Sequence, residues 1–514
     1  MSARPLPVSS PAAQGVDSAG VLAFLDAVEA APDIEPHSLM ILRHGHVVAS
    51  GWWAPYTPDR VHLLYSLSKS FTSTAAGFAV TEGLVRLDDP VISYFPEFEA
   101  EITDPRSRAM LVRHVASMAS GHLGETLEEA SRLDRKELVR GFLLVPPDRE
   151  PGTVFAYNQP ATYTLASIVQ RVTGQSLTEY LRPRLLDPLG IGEFAWLQRP
   201  PGRDLGFSGL HAATDAIARL GQFYLQDGVW NGERLLPSSW IAEATREQIP
   251  TVDASAGDSG SDWERGYGFQ FWRGRHGYRG DGAFGQFCVV LPDHDVVIAT
   301  TAATVQMQAL LGLMWQHLLP AFGPGPLAGT ADEGLRQRLA ALTLPPVEAS
   351  AGPPAPDAGP SAGEAMPPGG EAGRPDRGAG SSAAAADAWA GAVFVPRDGV
   401  CAEQRTLTRV EVAAPADGDG RPDADGWTVS LAEVDERYAL RLSATGWTVA
   451  EGPLPMAVSG GWADRDTLRF DVLFLETPHR MTVSCVLPDG TFDVGWHTTP
   501  MHRGPLRSLA APGR

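Results

Sequence analysis

A tract of mostly alanine, glycine, proline and serine interrupts the chain between Ala349 and Ala386. This composition buries too little apolar surface to offset the entropy lost on ordering, so it predicts a flexible linker or insertion. The whole chain has 514 residues, more than one hydrophobic core usually organises, so two domains are expected. We predict a first domain over residues 1–322, a connecting segment over 323–348, the linker over 349–386 and a second domain over 387–514.

The two regions beside the tract differ in their apolar periodicity. The first mixes helical and strand spacing. Its predicted elements are two strands in 38–53 joined at His44-Gly45-His46, helices over 67–83, 161–173 and 214–226, and a hairpin of 286–291 with 296–302. After the tract the pattern is that of strands only, over 428–434, 438–443, 467–474, 481–487 and 491–496, with a tight turn at Pro488-Asp489-Gly490. These patterns predict an α/β fold followed by a small all-β domain.

Charge and cysteine usage exclude several classes of partner. A formal net charge of −20 disfavours nucleic acid and anionic membrane surfaces, both of which require basic patches. No apolar stretch approaches the ~20 residues that span a bilayer, and the N-terminus lacks the apolar core of a signal peptide. The three cysteines are scattered, so neither a disulfide framework nor a zinc site is indicated. We expect a cytoplasmic protein.

Lysine is almost absent, and one of the few lysines follows a serine at a chemically useful spacing. Only Lys69 and Lys136 occur among 41 basic residues, and Lys69 stands three residues after Ser66. Residues at i and i+3 share one face of a helix. Burial there would favour the neutral amine, which can take a proton from serine as the permanently charged arginine cannot. The alternative is an ordinary surface serine and lysine on an amphipathic helix.

Two further segments carry weaker signals. Tyr157 closes Pro151-Gly152-Thr153-Val154-Phe155-Ala156-Tyr157 just before an apolar helix, although a lone tyrosine is usually a packing residue. The segment Tyr278-Arg279-Gly280-Asp281-Gly282-Ala283 is a glycine-rich strand, and glycine inside a strand suggests close approach of a backbone or ligand.

The order of these three segments resembles the serine β-lactamase and penicillin-binding-protein superfamily, with the closest likeness to its class C-like branch of family VIII carboxylesterases and 6-aminohexanoate-dimer hydrolases. The resemblance extends over roughly residues 14–320. It implies an antiparallel sheet flanked by helices, with a helical subdomain. It also implies that Ser66 is the acyl-accepting nucleophile, that Lys69 shares its proton, and that Tyr157 acts with Lys69 as general base and acid.

The sequence departs from the family pattern at two places. The Tyr-x-Asn motif reads Tyr157-Asn158-Gln159, so either Asn158 or Gln159 would hold the substrate carbonyl. The Lys-Thr-Gly strand aligns with Gly280-Asp281-Gly282, where the cation is missing and a carboxylate takes the central position. An aspartate there would disfavour carboxylate substrates and favour neutral or amino-bearing ones.

By the same resemblance, the backbone N–H groups of Ser66 and Ala283 would form an oxyanion hole. The expected activity is hydrolysis of small esters or linear amides through an acyl-enzyme, without metal or organic cofactor. Alternatives are a D-aminopeptidase-type peptidase, a weak β-lactamase, or an inactive ligand-binding protein on the same fold. The expected partner is a small ester or amide, and a homo-oligomer is compatible with the sequence.

Overall fold

The computed structural model describes residues 5–252, 259–354, 386–415 and 426–513. The described residues divide into two compact units, one drawn from residues 5–342 with 511–513 and the other drawn from residues 343–510. The first unit therefore extends past residue 322, the predicted end of the first domain. The predicted connecting segment contains a helix, Asp332–Ala340. Most of the predicted linker, residues 355–385, lies outside the described residues.

The first unit combines helices with one large sheet. Its helices are α1 Ser18–Ala30, α2 Ser68–Thr81, α3 Pro105–Ala109, α4 Val112–Ala116, α5 Leu127–Leu133, α6 Leu138–Leu144, α7 Gln159–Thr173, α8 Leu177–Leu181, α9 Asp187–Leu189, α10 Thr214–Leu225, α11 Ser238–Thr245, α12 Met307–Leu313 and α13 Asp332–Ala340. Its strands are β1 Glu35–Arg43, β2 His46–Trp52, β3 His62–Leu63, β4 Phe194–Trp196, β5 Leu210–Ala212, β6 Val229–Trp230, β7 Glu233–Arg234, β8 Trp272–Gly274, β9 Gly277–Gly282, β10 Gln286–Leu291 and β11 Val296–Ala303.

The large sheet is antiparallel, with strand order β2-β1-β11-β10-β9-β8. The predicted hairpins are confirmed: β1 turns into β2 through His44 and Gly45, both at positive φ, and β10 pairs directly with β11. Helix α10 packs against β1, β10 and β11, while α1 also contacts β1. A helical subdomain forms where α4 and α6 pack on α7, and α7 packs on α2. The expected architecture of sheet, flanking helices and helical subdomain is therefore present.

The second unit is built from strands. They are β12 Val393–Pro396, β13 Arg409–Ala413, β14 Thr428–Ala432, β15 Arg437–Arg441, β16 Thr448–Ala450, β17 Met456–Trp462, β18 Thr467–Phe474, β19 His479–Val486 and β20 Thr491–Trp496. They form one sheet in the order β15-β14-β13-β12-β20-β19-β18-β17-β16, and the end strands β15 and β16 contact each other. The prediction of an all-β region is confirmed, although β12, β13, β16 and β17 were not predicted.

Among the described residues, no helix combines the length and apolar character that crossing a membrane requires.

Candidate active site

Ser66 lies in a short 3-10 turn, Tyr65–Leu67, that leads directly into α2. Tyr65 has φ +48°, a left-handed conformation that is uncommon for a bulky side chain. The Ser68 hydroxyl donates to the Tyr65 carbonyl at 2.5 Å, and Leu210 N–H donates to the same hydroxyl at 3.2 Å. These contacts hold the turn in place, and they leave Ser66 partly exposed at the start of the helix.

Lys69 is 1% exposed, one turn further along this helix. Its Nζ lies 3.0 Å from Ser66 Oγ, 2.6 Å from Gln159 Oε1 and 2.9 Å from the Phe207 carbonyl. An amide oxygen and a carbonyl oxygen can only accept hydrogen bonds. A neutral amine that donates to both keeps one lone pair, and the remaining partner, the Ser66 hydroxyl, is able to donate a proton to it.

The surroundings of Lys69 favour that neutral form. Burial lowers the pKa of Lys69 to about 7, against the smaller opposing effect of the carboxylates of Glu125 and Asp281. The Nζ atom also lies 4.8 Å from the centre of the Tyr157 ring and 5.8 Å from that of Phe207. A substantial fraction of the molecules therefore carries an uncharged amine beside Ser66 near neutral pH.

Tyr157 completes this cluster from the segment before α7. Its hydroxyl shares a hydrogen bond with the Ser66 hydroxyl, and its ring stacks on Trp272 with centroids 5.4 Å apart and an interplanar angle of 18°. Burial raises the pKa of Tyr157 above its ordinary value, with the Ser66 hydrogen bond opposing. The phenol is thus protonated at neutral pH and can pass on a proton.

The structure separates the two candidate amides. Gln159 directs Oε1 to Lys69 and is partly exposed, whereas Asn158 is fully buried and its Oδ1 accepts from the N–H and hydroxyl of Thr126, at 3.2 and 3.0 Å. Gln159 therefore occupies the position beside the amine. Asn158, also predicted to bind substrate, is held in the protein interior by its hydrogen bonds with Thr126, directly before α7 begins.

Glu125 was not identified from the sequence, yet it lies beside this cluster. Its carboxylate accepts from Gln159 N–H at 3.1 and 3.2 Å, at the start of α7, and from Leu127 N–H at 3.0 Å, at the start of α5. A negative charge at a helix N-terminus interacts favourably with unpaired N–H groups. Glu125 belongs to a loop with no recognisable motif, so only the tertiary structure reveals its proximity to Lys69.

Strand β9 lies against the Ser66 turn because two of its residues lack side chains. A Cβ on Gly282 would lie 2.1 Å from the Leu64 carbonyl oxygen, and a Cβ on Gly280 would lie 2.3 Å from Leu67 Cδ1. The predicted close approach of a backbone at these glycines is confirmed. A side chain at position 280 would require Leu67 and Ser70 to shift.

The end of β9 brings Ala283 next to the nucleophile turn. Phe284, which follows Ala283, has φ +69°, and its ring packs edge-on against Tyr65 at 5.3 Å. Tyr65 precedes Ser66 and Phe284 follows Ala283, so each predicted oxyanion-hole position has a neighbour at positive φ. Ser66 and Ala283 are both partly exposed.

Asp281 points away from the Gly280 and Gly282 side of β9 and is paired within the protein. Its Oδ2 accepts from Arg279 Nε at 3.0 Å, and both side chains are buried. The Arg279 guanidinium lies 4.6 Å from the Trp263 ring centre. Burial raises the pKa of Asp281, while Arg279 opposes this. Since Arg279 compensates this carboxylate, its repulsion of an acidic substrate is weaker than the sequence suggests.

The described residues contain no group of three or more His, Cys, Asp or Glu side chains arranged to hold a metal ion.

Comparison with known proteins places these features in a family. The sequence model of the family described as Beta-lactamase matches residues 24–317. Penicillin-binding protein 4 of Amycolatopsis lactamdurans is 28% identical over 342 residues, which cover 56% of this chain and 88% of the relative. The 6-aminohexanoate-dimer hydrolase of Paenarthrobacter ureafaciens is 26% identical over 292 residues, which cover 52% of this chain and 74% of the relative.

A solved structure from Bacillus anthracis, provisionally described as a 6-aminohexanoate-dimer hydrolase, shares the fold. It aligns with a TM-score of 0.50 and 19% identity over 61% of this chain and 87% of the other. The family match extends over more than half of the chain and includes both Ser66 and Tyr157. On these grounds the chain belongs to the beta-lactamase family and is an enzyme of the serine hydrolase superfamily.

Proposed function

We propose that this enzyme hydrolyses small esters or linear amides through an acyl-enzyme on Ser66. The observation that carries the proposal is the set of partners around Lys69 Nζ. Two of them, Gln159 Oε1 and the Phe207 carbonyl, can only accept, so the lone pair of a neutral amine is directed to Ser66 Oγ at 3.0 Å. This is the geometry that activates a serine nucleophile.

In the proposed reaction, Lys69 takes the hydroxyl proton while Ser66 Oγ attacks the carbonyl carbon. The developing oxyanion accepts from the N–H groups of Ser66 and Ala283. Tyr157, protonated and hydrogen-bonded to Ser66, then passes a proton to the leaving alcohol or amine as the tetrahedral intermediate collapses. Water releases the acyl group by the same proton transfers in reverse.

Gln159 is proposed to position the substrate. Its Oε1 is taken by Lys69, and no hydrogen bond involves its Nε2 within the part of the chain that the structure describes. That N–H₂ group is therefore available to a substrate carbonyl at the edge of the cluster. Asn158 is not proposed for this role because its side chain is fully buried, so its Nδ2, although without a hydrogen-bond partner among the described residues, is not exposed to a substrate.

Ester and linear amide substrates are favoured over β-lactams by Gly280. The strand offers no lysine to meet a substrate carboxylate, and a side chain at position 280 would require Leu67 and Ser70 to shift. The names of relatives do not separate the two substrate classes, since they include Lovastatin esterase of Penicillium rubens and Esterase EstB of Burkholderia gladioli as well as Beta-lactamase of Escherichia coli.

The test is intact-mass detection of a fluorophosphonate adduct together with turnover of p-nitrophenyl butyrate. We expect one adduct on the wild-type enzyme, its loss in Ser66→Ala and its retention in Ser93→Ala, which removes an exposed hydroxyl elsewhere. Lys69→Met should reduce turnover by about 10³-fold or more. Lys136→Met is the matched control, because Lys136 is exposed and is the chain's other lysine.

Adduct formation that survives in Ser66→Ala, or equal turnover by Lys69→Met and Lys136→Met, would contradict the proposal. Alanine p-nitroanilide and nitrocefin, assayed with the same variants, would separate amide and β-lactam hydrolysis from ester hydrolysis.

A further inference from the structure

Gln270 lies in the segment that leads into β8, outside the motifs recognised in the sequence. It is 2% exposed and has φ +63°, a left-handed conformation that is uncommon for a residue with a side chain. Around it the chain reverses, since Tyr267 and Trp272 pair as an isolated antiparallel bridge. Such a conformation persists only where surrounding contacts fix it, so Gln270 is held firmly by its neighbours.

The side-chain amide of Gln270 forms hydrogen bonds with two helices. Its Nε2 donates to the carbonyls of Val115 and Ala116 at 3.2 and 2.7 Å, at the end of α4. Its Oε1 accepts from the Thr162 hydroxyl in α7 at 2.7 Å. The last carbonyls of a helix have no partner within the helix, so the amide satisfies groups that burial would otherwise leave unpaired. A satisfied buried network of this kind fixes its members in one arrangement.

The backbone of Gln270 contacts a third helix, the one that carries Lys69. The Ser70 hydroxyl donates to the Gln270 carbonyl at 3.1 Å, and Ser70 follows Lys69 in α2. Thr162 lies three residues after Gln159 in α7, and Gln159 Oε1 is the atom that contacts Lys69. One residue therefore joins the two helices that bring Lys69 and Gln159 together, and it ties both helices to the end of α4.

Met118, just beyond the end of α4, connects that helix to Tyr157. Its carbonyl accepts from Ala156 N–H at 3.0 Å, and its Sδ accepts from Asn158 N–H at 3.4 Å. Ala156 and Asn158 are the two residues beside Tyr157 in the chain. Because Gln270 holds the end of α4, it also limits how far the backbone of Tyr157 can move.

We propose that Gln270 is a positioning residue that keeps the Tyr157 hydroxyl where it protonates the leaving group. Two paths from Gln270 reach Tyr157. The end of α4 and Met118 hold its backbone, and Trp272, two residues after Gln270, stacks on its ring. Gln270 thus acts through its neighbours and not by touching the substrate. The inference rests on the role proposed above for Tyr157 as the proton donor.

The test compares two esters that form the same acyl-enzyme and release different alcohols. p-Nitrophenolate leaves p-nitrophenyl butyrate without a proton, whereas the ethoxide of ethyl butyrate must be protonated as it leaves. A displaced Tyr157 should therefore slow the ethyl ester more than the p-nitrophenyl ester. We expect Gln270→Met, which keeps the length of the side chain, to lower the ratio of ethyl to p-nitrophenyl kcat/KM about tenfold or more. Rates are expressed per active site, counted with the fluorophosphonate probe.

Gln170→Met is the matched control, because Gln170 is a buried glutamine in α7 with three hydrogen bonds of its own. Its Nε2 donates to the carbonyls of Ala166 and Asp204 at 3.2 and 3.1 Å, and its Oε1 accepts from Asp204 N–H at 2.7 Å. This variant should lower the melting temperature, as Gln270→Met does, and keep the wild-type ratio of the two esters. An equal fall of the ratio in both variants would indicate general loosening of α7 and would overturn the assignment.

A double substitution tests whether Gln270 acts through Tyr157. Tyr157→Phe should lower the ratio of the two esters, and adding Gln270→Met should lower it less than about twofold further, because the group that would be misplaced is already absent. Effects that multiply would contradict the inference. If Gln270→Met does not fold, Thr162→Val, which removes one hydrogen bond to the amide, takes its place and should lower the ratio in the same direction.

The same variants distinguish failure of this inference from failure of the proposed function. If Tyr157→Phe lowers the ratio and Gln270→Met does not, the role of Gln270 is wrong and that of Tyr157 stands. If Tyr157→Phe keeps the wild-type ratio while Ser66→Ala abolishes turnover, Tyr157 is not the proton donor, and the inference about Gln270 fails with it.

Discussion

The amine of Lys69 sets the chemistry of the site at the scale of single residues. Because burial lowers its pKa to about 7, the fraction of neutral, proton-accepting amine increases with pH across the neutral range. From pH 6 to pH 8 that fraction rises about tenfold for a group titrating near 7. We expect the rate of ester acylation to rise by a similar factor and then level off, as measured by stopped-flow release of p-nitrophenol. A rate that is flat or falls over this range would exclude Lys69 as the base.

The charge of Glu125 should affect the pH at which Lys69 loses its proton. Its carboxylate raises the pKa of Lys69 against the larger effect of burial, so removing the charge should lower the pKa further. Glu125→Gln is therefore expected to move the rising limb of the pH–rate profile to lower pH. The exposed Glu128 is a matched control, and Glu128→Gln should leave the limb unchanged. A shift to higher pH in Glu125→Gln would contradict this account.

Residue chemistry is predictable from the sequence only where a motif encodes it. Ser66 and Lys69 are three positions apart on one helix, so their proximity is a local property. Tyr157 was identified through resemblance, since its approach to Ser66 depends on how α7 packs on α2. The choice between Asn158 and Gln159 depends on where α7 begins, and Glu125 reaches the site only through the fold.

At the scale of elements, the closeness of β9 to the Ser66 turn depends on glycine. Gly282→Ala would place a Cβ 2.1 Å from the Leu64 carbonyl oxygen, which forces the strand and the turn apart. We expect a stability loss of about 1–3 kcal/mol and at least a tenfold slower fluorophosphonate reaction. Gly274→Ala in β8 is the control, since its nearest neighbour would be 3.5 Å away. If the Gly282→Ala variant melts at the wild-type temperature and reacts with fluorophosphonate at the wild-type rate, the glycine does not have this role.

Helices and strands can be predicted from the spacing of apolar residues where one face of the element is buried. The apolar spacing that predicts α2, α10 and the β10–β11 hairpin reflects burial that the structure confirms. Strand β17 was missed because Ser459, Gly460 and Gly461 interrupt its apolar pattern. A Cβ on Gly460 would lie 2.4 Å from the Arg469 carbonyl oxygen, so close strand packing, invisible in one segment alone, explains the glycine.

At the scale of the whole molecule, each of the two units has a hydrophobic core of its own. The core of the second unit includes three buried tryptophans. The centroid of the Trp462 ring lies 4.9 Å from that of Trp427 and 5.7 Å from that of Trp389. The core of the first unit is a separate cluster that includes Phe71 and Phe223. Separate cores predict separate cooperative transitions.

Differential scanning calorimetry of single-core variants tests this organisation. Trp462→Ala removes a fully buried indole and should destabilise the second unit by about 3–5 kcal/mol. We expect one transition to move to lower temperature while the other stays in place. Phe223→Ala, a comparable truncation in the first core, should move the opposite transition. If both substitutions instead shift a single common transition, the two cores unfold as one cooperative system, and the division into two units does not extend to their stability.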